Sequence, residues 1–175
     1  MFAKFYPSED VVSTYEIDFE KLYGKGYRGI IFDIDNTLVP HGFPADERSI
    51  RLIESLKEIG YKVLFLSNNK EPRVKSFRDK VGYGDYIYKA EKPKKSGYEA
   101  AMKKMGTDKE NTLFVGDQIF TDVWGANKAG IHSILVGRID SKEEIQIVLK
   151  RKLEKIVLYF YRRSKKRLEK ADNIV

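Results

Sequence analysis

Residues 29–38 read GIIFDIDNTL, and this stretch decides the fold. The apolar run GIIF predicts a buried strand, and Asp33 and Asp35 follow directly where the strand ends. In open α/β sheets, ligands bind at that edge. A carboxylate nucleophile with a second acid two residues on suits phosphoryl transfer, because the second acid can handle the proton of the leaving group. The plain alternative is a strand that ends in acidic turn residues.

Apolar runs alternate with amphipathic stretches on either side of this motif. The strands are predicted at 27–34, 62–66, 86–88, 112–115 and 133–136. The helices are predicted at 44–59, 72–81, 96–105 and 121–129, with a long helix from 141 that breaks near Ser164. This alternation predicts an α/β fold, with a parallel sheet of about five strands between two layers of helices. The first 26 residues have no clear pattern, and within them residues 6–17 are expected to form a packed arm with a short helix.

Four polar clusters follow predicted strands, so the sheet would bring them to one edge. Hydroxyl and amide groups can hold phosphate oxygens, and a lysine can neutralise the charge that builds during phosphoryl transfer. Two acids five residues apart in a strand-to-helix turn can hold a hard cation. Taken singly, the second cluster is typical of a turn and the fourth of a helix cap. The clusters contain Asp33, Asp35 and Thr37; Ser67, Asn68 and Asn69; Lys92; and Asp117 with Asp122.

The acidic residues of these clusters require a counter-charge. Several carboxylates that converge on a phosphate dianion would repel it unless a cation lies between them. Mg²⁺ prefers oxygen ligands in octahedral geometry and usually keeps several waters. Asp33, Asp117 and one backbone carbonyl would leave room for water and a phosphate oxygen. The sequence therefore predicts a Mg²⁺ cofactor.

In this order, the clusters resemble those of the haloacid dehalogenase (HAD) superfamily of phosphatases with an aspartate nucleophile. The matching segments read DIDNTLV from residue 33, LSNN from 66, EKPKKSG from 91 and VGDQIFTDVWGAN from 115. The GDQIFTD form and the opening KFYPSEDVVSTYEI resemble in particular the YqeG-type members of subfamily IIIA. That group is similar to mitochondrial phosphatidylglycerophosphatases. The resemblance implies a three-layer, Rossmann-like HAD fold and phosphatase activity.

The resemblance also implies a role for each matching residue. Asp33 would attack phosphorus, and Asp35 would protonate the leaving alcohol and then activate water. Asp33, Asp117 and the backbone carbonyl of Asp35 would bind Mg²⁺. The other implied roles are phosphate binding by Thr37, Ser67 and Asn68, charge neutralisation by Lys92, and orientation of Lys92 or a metal-bound water by Asp122.

The spacing of the clusters leaves no room for a cap domain over the site. The gap from Asp33 to Ser67 and the gap from Ser67 to Lys92 each fit one helix, its turns and a strand. The site is therefore expected to be open. An open site suits a phosphate group attached to something large, such as a lipid, a protein or a nucleic-acid end.

The net charge of +7 is concentrated in one segment. Residues 150–170 hold ten basic and two acidic side chains, a local charge of +8, which leaves −1 for the rest. We therefore predict a core at 1–140 and a basic helical extension at 141–175, packed on or beside the core. Its basic amphipathic character favours membrane-surface contact through 150–170 over nucleic acid, with a solvated surface as the plain alternative. The predicted apolar side comprises Leu149, Leu153, Ile156, Val157, Phe160 and Leu168.

The first functional hypothesis is a Mg²⁺-dependent phosphomonoesterase that acts through Asp33. The resemblance makes phosphatidylglycerophosphate the favoured substrate, met at the inner face of the membrane. One alternative is a phosphatase for soluble sugar or nucleotide phosphates, and another is a HAD-fold module that binds nucleic acid or protein. The absence of cysteine and of a long apolar segment favours the cytoplasm. The sequence gives no prediction of oligomeric state.

Overall fold

The computed structural model describes residues 2–140 and 145–172, with side chains described at 2–140 and 152–166. Six strands form one sheet: β1 (Glu9–Val11), β2 (Gly29–Phe32), β3 (Lys62–Leu66), β4 (Asp85–Ile87), β5 (Thr112–Gly116) and β6 (His132–Val136). Every pairing is parallel, in the order β1-β6-β5-β2-β3-β4. The strand order reverses between β2 and β5. A crevice at such a reversal is the usual ligand site of open α/β sheets.

Helices cover both faces of the sheet. They are α1 (Phe19–Gly24), α2 (Glu47–Ile59), α3 (Glu71–Val81), α4 (Lys95–Met105), α5 (Trp124–Ala129) and α6 (Ile145–Asp172). Successive side chains of a strand point to opposite faces. Ile30 and Phe32 accordingly pack with residues of α1, α2 and α3, whereas Ile31 packs with residues of α4 and α5. The predicted three-layer α/β fold is confirmed.

The helices begin and end where local chemistry favours it. At the start of α2, the Asp46 carboxylate accepts from the Ser49 N–H at 2.8 Å, and the Ser49 hydroxyl accepts from the Asp46 N–H at 3.0 Å. This reciprocal capping box satisfies two otherwise unpaired N–H groups. Gly60 ends the helix with φ of 106°, in the left-handed region that glycine adopts without strain.

The sheet has six strands where about five were predicted, because the N-terminal arm supplies β1. Ser8 and Ser133 anchor this arm through reciprocal hydrogen bonds, and Glu9–Val11 then pairs with β6. The short helix expected in the arm is a single 3₁₀ turn at Thr14–Glu16. The helix predicted at 121–129 begins earlier, with a π-helical turn at Ile119–Val123.

Among the described side chains, the terminal helix packs through a face that shares only Val157 with the predicted apolar side. Glu154, Val157 and Tyr161 are buried, and Val157 contacts a cluster that includes Ile119 and Leu135. Three residues of the predicted apolar side are instead about half exposed: Leu153, Ile156 and Phe160. The side chains of Leu149 and Leu168 lie outside the described residues. The helix runs without a break through Ser164.

The described residues between the clusters contain no cap domain. One helix, α2, lies between Asp33 and Ser67, and one helix, α3, lies between Ser67 and Lys92. No cap domain therefore covers the carboxyl edge of the sheet in this part of the chain. Among the helices that the structure describes, none is both long and apolar enough to cross a bilayer.

Candidate active site

The turn after β2 is held in shape from within and by the N-terminal arm. Asn36 adopts φ of 63°, a left-handed conformation that asparagine tolerates, and its N–H donates to the Val39 carbonyl at 2.7 Å. The Thr14 hydroxyl donates to the Thr37 carbonyl at 2.8 Å. The Tyr15 hydroxyl donates to the next carbonyl along the turn at 2.6 Å. The arm therefore fixes the turn that carries the two predicted catalytic acids.

A buried lysine joins carboxylates from two different strand ends. The Lys92 Nζ lies 2.6 Å from Asp33 Oδ1 and 2.7 Å from Asp122 Oδ1. The Thr37 hydroxyl lies 3.4 Å from an oxygen of Asp33 and 3.4 Å from an oxygen of Asp117. All five side chains are buried. The structure thus brings together residues of the first, third and fourth predicted clusters.

Burial and charge shift the proton affinities in this group. Burial raises the pKa of Asp33 to about 7, against the opposing effect of the Lys92 ammonium. Burial also disfavours the charged form of Lys92, but the carboxylates of Asp122 and Asp33 outweigh this effect and raise its pKa. Lys92 therefore stays charged. The single ammonium is shared between two buried carboxylates, so it does not fully offset the effect of burial on Asp33.

A glycine allows Asp122 to reach this position. A Cβ on Gly116 would lie 2.6 Å from Asp122 Oδ2, which is closer than packed atoms allow. The same carboxylate oxygen accepts from the Gln118 N–H at 3.0 Å. The Tyr98 hydroxyl donates to the Thr121 carbonyl at 2.8 Å and so supports the following turn. Asp122 is thereby aimed at Lys92, and its orienting role stays a prediction.

Three carboxylates could hold a divalent cation. The ligand oxygens of Asp33, Asp117 and Asp122 all lie within 4.8 Å of one another. Three acids against the single charge of Lys92 leave an excess of two negative charges when all are ionised. A hard divalent cation with oxygen ligands fits this donor set. The side chain of Asp35 is not part of this cluster, and the metal role of its backbone carbonyl stays a prediction.

The Asp35 carboxylate faces a different set of donors. It accepts from the Gly42 N–H at 2.8 Å, the Asn69 amide at 2.7 Å and the Arg73 guanidinium at 2.8 Å. Sequence reasoning placed Asn69 among the amides that could hold phosphate oxygens, and it gave Arg73 no role. Arg73 is one of 33 basic residues, and nothing in its spacing distinguishes it from the others. The two acids of the motif therefore lie in separate environments two residues apart.

The second predicted cluster is divided between two tasks. Ser67 is buried, and its hydroxyl accepts from the Asn69 N–H at 3.1 Å. The Asn68 side chain binds the backbone of Lys92, accepting from its N–H at 2.7 Å and donating to its carbonyl at 3.2 Å. Asn68 thus positions Lys92. Phosphate binding by Ser67 and Asn68 stays a prediction.

A buried acid on α6 supports the loop that carries Asp117 and Asp122. Glu154 is only 4% exposed, and its carboxylate accepts from the Ile119 N–H at 2.7 Å and the Phe120 N–H at 3.4 Å. These N–H groups begin the π-helical turn, where a negative charge is favourable. Sequence reasoning missed Glu154. The available signal was an isolated acid within a strongly basic helix.

Comparisons with known proteins concern the chain as a whole rather than single site residues. The family model of haloacid dehalogenase-like hydrolases matches residues 43–130. A Bacillus subtilis protein described as "Probable phosphatase YqeG" is 40% identical over 166 residues, which cover 94% of this chain and 96% of that protein.

Two more distant relatives extend the comparison. An Arabidopsis thaliana protein described as phosphatidylglycerophosphate phosphatase 1 is 28% identical over 163 residues, covering 87% of this chain and 47% of that protein. The cobalt-bound deoxy-D-mannose-octulosonate 8-phosphate phosphatase of Haemophilus influenzae matches 81% of this chain and 91% of that chain, with a TM-score of 0.50. At 16% identity, that match supports the fold alone.

Proposed function

This chain belongs to the haloacid dehalogenase-like hydrolases and is a phosphatase of the YqeG type, and we propose that it hydrolyses phosphomonoesters through an aspartyl-phosphate on Asp33. The observation that carries the proposal is the buried Lys92, which lies within 2.7 Å of both Asp33 and Asp122. It holds one oxygen of Asp33 in place. The other oxygen, near the Thr37 hydroxyl, is then the attacking atom.

In the first step, Asp33 attacks phosphorus and the bond from phosphorus to the ester oxygen breaks. Asp35 gives its proton to that oxygen, so the alcohol leaves neutral. Lys92 offsets negative charge on the phosphoryl oxygens as it develops. The Ser67 hydroxyl supplies a further hydrogen bond to the transferred group. The products of this step are the alcohol and the phosphorylated Asp33.

In the second step, Asp35 removes a proton from water, and the water oxygen attacks the phosphorus of the aspartyl-phosphate. The bond from phosphorus to Asp33 breaks, which releases inorganic phosphate and restores both acids. The Gly42 N–H, the Asn69 amide and the Arg73 guanidinium hold the Asp35 carboxylate in place for both steps. Bound Mg²⁺ would neutralise the excess charge of Asp33, Asp117 and Asp122 and bind a phosphate oxygen.

The favoured substrate is phosphatidylglycerophosphate or a closely similar lipid. The distant Arabidopsis relative carries that activity in its name. Three large apolar side chains are also exposed beyond the carboxyl ends of strands: Val12 after β1, Phe43 after β2 and Ile139 after β6. All three therefore lie along the edge of the sheet that carries the site. An apolar rim around an uncapped site favours a phosphate carried on a lipid.

We propose that α6 brings the enzyme to an anionic membrane surface. Leu153, Ile156 and Phe160 are exposed on one side of this helix, and lysines and arginines cover an adjacent side. Exposed apolar side chains beside clustered basic residues are typical of helices that lie in the membrane interface. Each basic residue near an anionic leaflet contributes ~1 kcal/mol. This contact would present the open site to lipid headgroups.

The test is phosphate release with Mg²⁺ from phosphatidylglycerophosphate in mixed micelles, beside a panel of soluble sugar and nucleotide phosphates. Asp33→Asn serves as the blank. We expect a strong preference for the lipid that is lost in the variant. Turnover of soluble esters alone would retain the phosphatase chemistry and reject the lipid. Turnover that survives in Asp33→Asn would reject the aspartyl-phosphate.

A further inference from the structure

A cavity of about 550 Å³ lies between α6 and the carboxyl ends of β1 and β6. Asp117 forms part of its lining, so the cavity adjoins the three-carboxylate cluster. Much of the remaining lining is apolar, from Val11, Val12, Ile119, Leu135, Val136 and Leu158. None of the steps in the proposed hydrolysis uses this space. It is nevertheless placed to receive the part of a substrate that extends beyond the reacting phosphate.

The cavity also carries positive charge from α6. Lys152 and Lys155 line it and form no ion pair or hydrogen bond with any residue that the structure describes. Arg162 also lines it, but its guanidinium lies 3.5 Å from Asp10. Two lysines without acidic partners, next to the apolar lining of the cavity, could bind a ligand that has an anionic group attached to an apolar group.

The acids in the same lining are already engaged. Asp117 belongs to the metal-binding cluster, and the Glu154 carboxylate accepts from the Ile119 N–H. Asp10 lies beside Arg162 and Lys165. The charges of Lys152 and Lys155 are therefore available to a ligand. Lys92 has three N–H donors and contacts Asp33 and Asp122, so its remaining donor serves the reacting phosphoryl group.

We propose that Lys152 and Lys155 bind a second phosphate group of the substrate, while the apolar lining of the cavity receives the lipid part next to it. This inference rests on the proposed phosphatase function and names the substrate class: phosphomonoesters that carry a phosphodiester a few bonds away. Glu154 lies between the two lysines in sequence and hydrogen-bonds the loop that carries Asp117 and Asp122. Glu154 thereby ties the turn of α6 that carries both lysines to the loop that carries Asp117 and Asp122.

The experiment compares Lys152→Ala/Lys155→Ala with a matched control, Arg163→Ala/Lys166→Ala. Both remove two positive charges from α6, but the control residues do not line the cavity. Water-soluble dihexanoyl phosphatidylglycerophosphate below its micelle concentration is the test substrate, so that no membrane contributes. Dihexanoyl phosphatidic acid has acyl chains but no second phosphate, and p-nitrophenyl phosphate has neither. Fructose 1,6-bisphosphate against fructose 6-phosphate tests a second phosphate without lipid.

We expect the cavity variant to raise KM for the short-chain phosphatidylglycerophosphate about tenfold, the loss of roughly one charge-assisted hydrogen bond. Its kcat on p-nitrophenyl phosphate and its KM for phosphatidic acid should be unchanged, and the control should match the wild type throughout. An unchanged KM in the cavity variant, or an equal rise in the control, would overturn the subsite. A rise confined to the sugar bisphosphate would retain the subsite for a second phosphate and reject its lipid assignment.

Failure of the parent proposal gives a different result. Calorimetric titration of Asp33→Asn with the short-chain lipid measures binding without turnover. If the wild type releases no phosphate from the lipid but the cavity variant weakens its binding about tenfold, the subsite stands and the hydrolytic assignment fails. If Asp33→Asn and the triple variant with Lys152→Ala and Lys155→Ala bind the lipid equally, the subsite fails whatever the turnover.

Discussion

The site floor and the α6 wall adjoin at Asp117, which lines the cavity beside α6, but they are built in opposite ways. The floor comprises Asp33, Lys92, Asp117 and Asp122, all buried and placed by the ends of core strands and the loops that follow them. The wall comprises Lys152, Glu154 and Lys155, and only Glu154 is buried. Lys92 of the floor forms ion pairs with Asp33 and Asp122, whereas the two wall lysines form no ion pair with any described residue. Under the proposed function, the floor performs the chemistry and the wall selects the substrate.

The largest effect is expected from Lys92→Met, which leaves the floor acids without their ammonium. Removal of one preorganised electrostatic contact typically lowers kcat by roughly 10²- to 10³-fold. Because the floor acts on the phosphoryl group itself, the loss should be the same for the lipid and for p-nitrophenyl phosphate. Steady-state kinetics on both substrates measures it. Lys94→Met, at an exposed lysine two residues on, is the matched control and should retain activity.

A loss in Lys92→Met that is confined to the lipid substrate would contradict this division. Circular dichroism of the variant separates a loss of chemistry from a loss of structure. The separation is needed because an unpaired buried acid also destabilises the fold.

A smaller effect is expected from Glu154→Ala, which cuts the hydrogen bonds that join wall to floor. The loop with Asp117 and Asp122 would lose a charged cap, so the Mg²⁺ concentration for half-maximal activity should rise about tenfold. Glu154→Gln retains an acceptor oxygen and should recover part of that affinity. Titration of activity with Mg²⁺ provides the measurement. A lower Tm with unchanged Mg²⁺ dependence would mean that Glu154 supports only the packing of α6.

The smallest effect concerns stability without metal. An unfolded aspartate ionises near pH 4, whereas burial holds the folded pKa of Asp33 at about 7. Between these values the unfolded chain binds fewer protons, so the buried charge lowers stability as pH rises. Asp33→Asn should therefore gain a few degrees in Tm over the wild type at pH 8, and less at pH 5. Thermal unfolding with a chelator measures the difference.

The wall offers a control for that pH dependence. Lys155→Ala removes a solvent-exposed charge, so its Tm difference from the wild type should be nearly the same at pH 5 and pH 8. An equal Tm difference for Asp33→Asn at both pH values would contradict the raised pKa of Asp33 in the folded protein.

Much of the floor was predictable from sequence because it depends on local order. Buried strands produce runs such as residues 29–32, and parallel pairing then brings the residues after each strand to one edge. The structure places Asp33, Lys92, Asp117 and Asp122 together on that basis. These residues could be located from the ends of the predicted strands alone, and the apolar runs that mark those strands are the clearest pattern in this sequence.

The features that sequence reasoning missed depend on partners distant in the chain. Glu154 is buried because its carboxylate accepts hydrogen bonds from backbone N–H groups of the π-helical turn. Hydrophobic periodicity carries no information about such a hydrogen bond. The buried face of α6 is set by the surface it meets, including Ile119 and Leu135. Likewise, β1 is a strand only because β6 offers an open edge. A strand of only three residues, Glu9–Val11, is too short to show a hydrophobic pattern of its own.

The pairing of β1 with β6 has a consequence for the order of assembly. Ser8 hydrogen-bonds Ser133, 125 residues away, so the arm cannot dock until β6 has been synthesised and joined to the sheet. Contacts of such wide sequence separation close slowly. Thr14 and Tyr15 lie in that arm and hold the turn after Asp33. A nascent chain would therefore complete the turn after Asp33 only once β6 has been synthesised and the arm has docked on it.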